Sequence, residues 1–146
     1  MSFNLENSVN HNIATIAVLL KRQVYRVIAD HKLNITPDQW VVMYYLWEEN
    51  GLSVGEIAKR SKKDFANVTR IIEKLKKLGY INKKKSKKDS RVSHIYILPE
   101  ADQLKDKIYK SMIESTALAL EGFNDSEQEV LLALLKRIEH NILKKA

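Results

Sequence analysis

The chain has 146 residues, 45% of them hydrophobic, a formal net charge of +7 and no cysteine. That apolar content supports a buried core and excludes a disordered chain, and the missing thiols exclude disulfides, thiolate zinc sites and cysteine redox sensing. The charge is localised: residues 51–99 hold 14 Lys and Arg against 4 Asp and Glu, a balance of +10, while the remainder holds 11 against 14, a balance of −3. Basicity confined to one module is the footprint of a polyanion binder.

In chain order, the opening MSFNLENSVNH lacks a signal-peptide pattern and no apolar run reaches membrane-span length, so a cytoplasmic protein without membrane contact is expected. Val9, Ile13, Ile16, Ala17, Leu20, Val24 and Val27 recur at spacings of three and four, which predicts a long amphipathic helix over 9–31. The stretch Ile35-Thr36-Pro37-Asp38-Gln39-Trp40 reads as a helix start, with Thr36 and Gln39 forming a capping box and Pro37 at the first helical position. That helix runs through VVMYYLWEE to Asn50-Gly51.

Ser53-Val54-Gly55-Glu56 supplies a second capping box for a short helix over 54–60. After a turn at Ser61-Lys62-Lys63, Asp64 caps another helix, whose apolar stripe is expected to bury Phe65, Val68, Ile71, Ile72, Leu75 and Leu78. Gly79 ends it. Tyr80-Ile81-Asn82 opens one strand, RVSHIYIL forms a second, and the run KKKSKKDSR joins them. Residues 100–121 and 125–145 return to helix, the latter capped by Asn124 and Glu127. The expected fold is mainly α with a small β-wing, in the order α-α-α-α-β-β-α-α.

A short capped helix, a tight turn, a longer amphipathic helix and a basic hairpin make a winged helix-turn-helix. Its second helix turns Ala66, Asn67, Arg70, Lys74 and Lys77 away from the apolar stripe, and a helix is about as wide as the major groove admits. Asn67 and Thr69 suit base edges or phosphates, and Arg70 reaches guanine or backbone. Lys83, Lys84, Lys85, Lys87, Lys88 and Arg91 in the wing add phosphate contacts or a minor-groove insertion.

Taken in order, ITPDQW, SVGEIAKRS, DFANVTRIIEKLKKLGYI, KDSRVSHIYIL and FNDSEQEVLLALL resemble the MarR family of transcription regulators, over essentially the whole chain. The resemblance implies a triangular homodimer on double-stranded DNA, with residues 1–34 and 100–146 as the helical dimerisation region and 35–99 as the winged helix. It also implies that Arg91 enters the minor groove, oriented by Asp89. The candidate DNA-contacting set is Ser53, Lys63, Ala66, Asn67, Thr69, Arg70, Lys74, Lys84, Lys85, Lys87, Lys88, Asp89 and Arg91. The resemblance further implies a ligand-responsive repressor released by a small aromatic or phenolic effector, for which Tyr25, His31, Trp40, Tyr44 and Trp47 are candidate pocket residues. The spacing 40, 44, 47 is more often that of a helix core stripe than of a pocket. The chain departs from many relatives after the wing, where Leu98-Pro99-Glu100-Ala101-Asp102 replaces Leu-Thr followed by glycine.

The dimer also follows from the residues alone, since the terminal amphipathic helices present wide apolar faces that one small domain cannot cover. Such a dimer predicts a pseudo-palindromic site with half-sites about 10 bp apart. His11, His31, His94 and His140 are scattered without metal-ligand spacing, and no phosphate loop, dinucleotide fingerprint or nucleophile elbow occurs, so neither a cofactor nor an enzymatic activity is expected. A nonspecific nucleic-acid binder and a winged-helix protein-interaction module remain alternatives.

Overall fold

A computed structural model, which describes residues 2–146, has six α-helices and one three-stranded antiparallel sheet. A single 3-10 turn, Leu5–Asn7, precedes α1 (Val9–Asp30). Next come α2 (Pro37–Glu48), β1 (Leu52–Ser53), α3 (Val54–Ser61) and α4 (Phe65–Lys77). The chain continues through β2 (Ile81–Lys85), β3 (Ser93–Ile97), α5 (Pro99–Ala119) and α6 (Asp125–Leu143).

The helix starts follow from local hydrogen bonding. At α2 the Gln39 N–H donates to Thr36 Oγ1 at 3.1 Å, and the Thr36 N–H donates to Gln39 Oε1 at 3.0 Å. Ser53 with Glu56 and Asn124 with Glu127 make the same reciprocal pair at α3 and α6. Asp64 caps α4 by accepting from the Asn67 N–H at 2.7 Å. Each cap satisfies donors that the first helical turn would otherwise leave unpaired.

Two features of the sheet differ from the sequence reading. The sheet has a third strand, β1, two residues long, in the order β1-β3-β2. Leu52 pairs with Ile95 and Ser53 with His94, so the wing is joined to the start of the helix-turn-helix. The lysine run is also only partly a turn. Lys83, Lys84 and Lys85 belong to β2, opposite Ile95, His94 and Ser93, and the reversal is made by residues 86–92.

One core spans the molecule. Val42, Met43 and Leu46 of α2, Ile57 of α3, and Val68, Ile71, Ile72 and Leu75 of α4 pack with Leu52, Ile81 and Ile95 of the sheet. Ile28 of α1 and Ala101 and Ile108 of α5 join the same cluster. The far ends of the terminal helices do not. Ile13, Ile16 and Leu20 of α1, Ile113 and Leu118 of α5, and Leu132, Leu135 and Ile142 of α6 are exposed. No described helix is long and apolar enough to cross a membrane.

Gly51 holds the join between α2 and the sheet at φ +83°, and a Cβ there would lie 3.0 Å from the Tyr96 ring. Gly79 has a similar φ of +81°, with nothing within 4 Å. Left-handed backbone alone costs a side chain about 1–2 kcal/mol. Gly51→Ala is therefore expected to lower stability more than Gly79→Ala, because it also displaces Tyr96; urea denaturation of the two variants checks this.

Candidate nucleic-acid interface

The buried stripe of α4 sets which residues it can offer. With Val68, Ile71, Ile72 and Leu75 inside, Ala66, Arg70, Lys74 and Lys77 are exposed on the outward side. Asn67 is half-buried at the first turn, where its backbone N–H is held by Asp64. Thr69 is half-buried too, and its hydroxyl donates to the Phe65 carbonyl at 2.9 Å, within its own helix. Phe65, expected in the buried stripe, is instead 62% exposed. At 100° per residue it lies at the edge of the stripe, and as the first helical residue it has no preceding turn to shelter it.

The wing tip is built around Ser86 and Asp89. The Ser86 N–H donates to the Val92 carbonyl at 2.8 Å, and the Ser86 hydroxyl accepts from the N–H groups of Lys88 and Asp89. The Asp89 carboxylate grips Arg91 three times: Oδ1 accepts from the Arg91 backbone N–H at 3.0 Å and from Nε at 3.1 Å, and Oδ2 accepts from Nη2 at 3.2 Å. Hydrogen bonds from the guanidinium, and then from the backbone N–H, hold the Asp89 carboxyl below its ordinary value. The Arg91 side chain is 89% exposed. It is thus oriented without being buried.

The lysines divide by environment. Lys87 and Lys88 are exposed in the turn. Lys84 places its ammonium 5.3 Å from the centroid of the Tyr96 ring, a cation–π contact along the strand face. Lys83 reaches Glu73 of α4 at 3.5 Å, which ties the base of the wing to that helix, and Lys85 is exposed at the end of β2. Lys63 is a different case. Its ammonium lies 2.7 Å from Asp38 Oδ1, and its side chain is only 20% exposed. Asp38 Oδ2 also pairs with Lys21 of α1 at 3.0 Å, so one carboxylate links α1, the start of α2 and the turn before α4. Ser53 is half-buried, with its hydroxyl engaged as the α3 cap.

The aromatic residues separate into two places. Trp40, Tyr44 and Trp47 of α2 gather around Tyr109 of α5, with centroid distances of 6.4, 6.2 and 5.9 Å respectively. Lys105 lies over both Trp47 and Tyr109, 5.9 and 5.7 Å from their centroids. The Tyr109 hydroxyl is buried without a hydrogen-bond partner. Burial, followed by nearby Glu48 and Tyr44, pushes its phenol above the ordinary value, so it remains a neutral donor. Tyr109 and Lys105 escape a search of α2 alone. Tyr25 and His31 lie elsewhere: Tyr25 lines a groove along α1 with Arg22 and Arg26, and His31 pairs with Glu114 of α5 at 2.7 Å. Among the described residues no group of three or more His, Cys, Asp or Glu could hold a metal ion.

Residues 35–93, the helix-turn-helix and most of the wing, match the model of the MarR family. Those residues carry the MarR-family winged helix-turn-helix. The chain is a DNA-binding transcriptional regulator, and its relatives are regulators rather than enzymes. The uncharacterized HTH-type transcriptional regulator YsmB of Bacillus subtilis is 24% identical over 142 residues, covering 97% of this chain and 93% of that one. The HTH-type transcriptional regulator TtmR of Methylorubrum extorquens is 31% identical over 111 residues, covering 75% of this chain and 55% of that one. Among solved structures, Bordetella bronchiseptica BpsR, whose DNA binding is regulated by 6-hydroxynicotinic acid, superposes with a TM-score of 0.88 at 20% identity, covering 95% of this chain and 98% of that one.

The Asp38 pair can be tested by acid titration. Partial burial opposes ionisation, but hydrogen bonds and charge from Lys63 and Lys21 outweigh it and hold the carboxyl below its ordinary value of 3.8. A depressed folded-state value contributes stability that is present above the unfolded value and is lost as pH falls through the folded one. Asp38→Asn should therefore be less stable than the parent near neutrality, with the gap closing below about pH 4. A gap that persists unchanged at low pH would show that the ion pairs contribute nothing.

Proposed function

We propose that this regulator acts as a homodimer on a pseudo-palindromic operator, most simply as a repressor, with residues 35–99 reading DNA and residues 1–34 and 100–146 pairing the subunits. The observation that carries this reading is the Arg91–Asp89 clamp: an exposed guanidinium, fixed in direction, at the tip of a lysine-rich wing. A fixed arginine is suited to a narrow minor groove, where the negative potential is strongest. Asn67 and Arg70 would meet base edges in the adjacent major groove, with Ala66, Thr69 and Lys74 alongside. Lys84, Lys85, Lys87 and Lys88 would supply phosphate attraction. Lys63 would act through the position of the turn rather than through direct contact, given its place on Asp38.

The exposed apolar faces of α1, α5 and α6 support pairing of subunits, since a solitary chain would leave Ile16, Leu20, Leu135 and Ile142 in water. Two recognition helices related by a twofold axis would meet half-sites about one helical turn apart. The orphaned hydroxyl of Tyr109, ringed by Trp40, Tyr44 and Trp47 beneath Lys105, supports an effector that is a small hydroxylated aromatic acid. Its ring would stack in the cluster, Tyr109 would donate to it, and Lys105 would meet its carboxylate. The regulation of BpsR by 6-hydroxynicotinic acid is in keeping with this class.

Footprinting on the duplex upstream of its own gene, followed by affinity measurements across a salt series, tests the DNA reading. Arg91→Ala should cost more affinity than any single wing-lysine substitution; equal losses would remove the minor-groove role. Substituting Asn67 or Arg70 should change sequence preference by about 1–3 kcal/mol where a base contact is lost. Uniform weakening on all duplexes would instead make them phosphate contacts. Removing Lys84, Lys85 and Lys87 together should flatten the salt dependence while leaving the preferred sequence intact. For the effector, 6-hydroxynicotinic acid should quench Trp40 and Trp47 fluorescence in the parent and bind several-fold more weakly to Tyr109→Phe.

A further inference from the structure

Phe65 is the first residue of the recognition helix and presents most of its ring to solvent, on a module whose other exposed residues are largely cationic or polar. Nothing within the helix calls for it. Position N1 is served by small and polar residues, and an aromatic side chain there gains no packing from a preceding turn. Exposed Ala66 follows it, so two consecutive apolar residues stand at the leading end of α4. The N-terminal residues of a recognition helix are those that approach base edges. The apolar feature that the major groove offers at those edges is the C5-methyl group of thymine.

We propose that Phe65, with Ala66 beside it, packs against thymine methyl groups and makes thymine a specified base in each half-site. The juxtaposition is suited to this. Asp64 pins the first turn through the Asn67 N–H, so the ring is carried on an ordered helix end rather than a loose loop. Asn67 on the same turn and Arg70 on the next would address hydrogen-bonding edges one or two base pairs away, while Phe65 addresses a methyl. The balance of +10 over residues 51–99 identifies the occupant as nucleic acid rather than an apolar protein surface. The inference rests on the proposed site-specific binding and adds to it a residue and the base that it selects.

The test uses the full chain and a duplex enriched from a randomised pool. Each thymine of one half-site is replaced in turn by deoxyuridine, which removes the methyl and leaves every hydrogen-bonding group in place. In the parent protein at least one replacement should weaken binding about 4-fold, the factor for one methyl buried against apolar surface. In Phe65→Ala that thymine-to-uracil ratio should fall to about 1, and in Phe65→Leu it should be largely retained. Insensitivity of the parent to every replacement, or an unchanged ratio in Phe65→Ala, would overturn the proposal. So would a Phe65→Ala variant that melts earlier and loses affinity by the same factor on every duplex, because Phe65 would then only support the helix. Failure to enrich any sequence would overturn the site-specific reading along with it.

Discussion

Burial of one stripe on α4 is the constraint on which the rest depends. Val68, Ile71, Ile72 and Leu75 are held between α2, α3 and the sheet, and so the helix cannot roll about its axis. Its roll decides that Arg70 and Lys74 face outward, that Glu73 can receive Lys83 from the wing, and that Phe65 is left at the edge. Ile95 of the wing strand is buried in the same cluster and pairs with both Leu52 and Lys83. Wing and helix therefore move as one body. A methyl lost from this layer would register at both α4 and the wing, since well-packed interiors transmit strain rather than absorb it.

The core does not respect the boundary between the winged helix and the terminal helices. Ile28, Ala101 and Ile108 lie within it, and Asp38 binds Lys21 and Lys63 across the same divide. A change in how α1 and α5 sit would thus reach the turn before α4 through packed side chains and a charge-assisted pair. The aromatic group around Tyr109 lies on this path, between α2 and α5. On the proposed reading, an aromatic acid entering there would wedge the two helices apart, and the motion would be delivered to the DNA-facing elements.

What was legible in the sequence was local. Thr36 with Gln39, Ser53 with Glu56 and Asn124 with Glu127 act over three residues, so each helix start could be read without its surroundings. The Asp89–Arg91 pairing was implied by the family resemblance, and its bonds span only two residues. The two-residue β1 was not legible, because Leu52 becomes a strand only by meeting Ile95 far along the chain. Lys63 looked like a free cation until Asp38, at the start of α2, took it up. Phe65 fitted the apolar period, but period alone does not reveal that the first residue of a helix lacks a neighbour on one side. Tyr109 and Lys105 joined Trp40 and Trp47 through tertiary packing of α5 on α2, which no spacing within either helix encodes.

The clamp at the wing tip has a consequence for discrimination. Guanidinium binds carboxylate and phosphate through the same two-pronged edge. In this protein that edge, Nε with Nη2, is already occupied by Asp89. A phosphate on arbitrary duplex must compete with a carboxylate two residues away for it, and the competitor is always present. On the proposed reading, the Nη1 donors, which make no hydrogen bond to Asp89, are left for a partner at the bottom of a groove. On that same reading, Asp89 works as an internal decoy ligand: it blunts the arginine's indiscriminate attraction to backbone and leaves intact the part of the side chain that rewards the right shape.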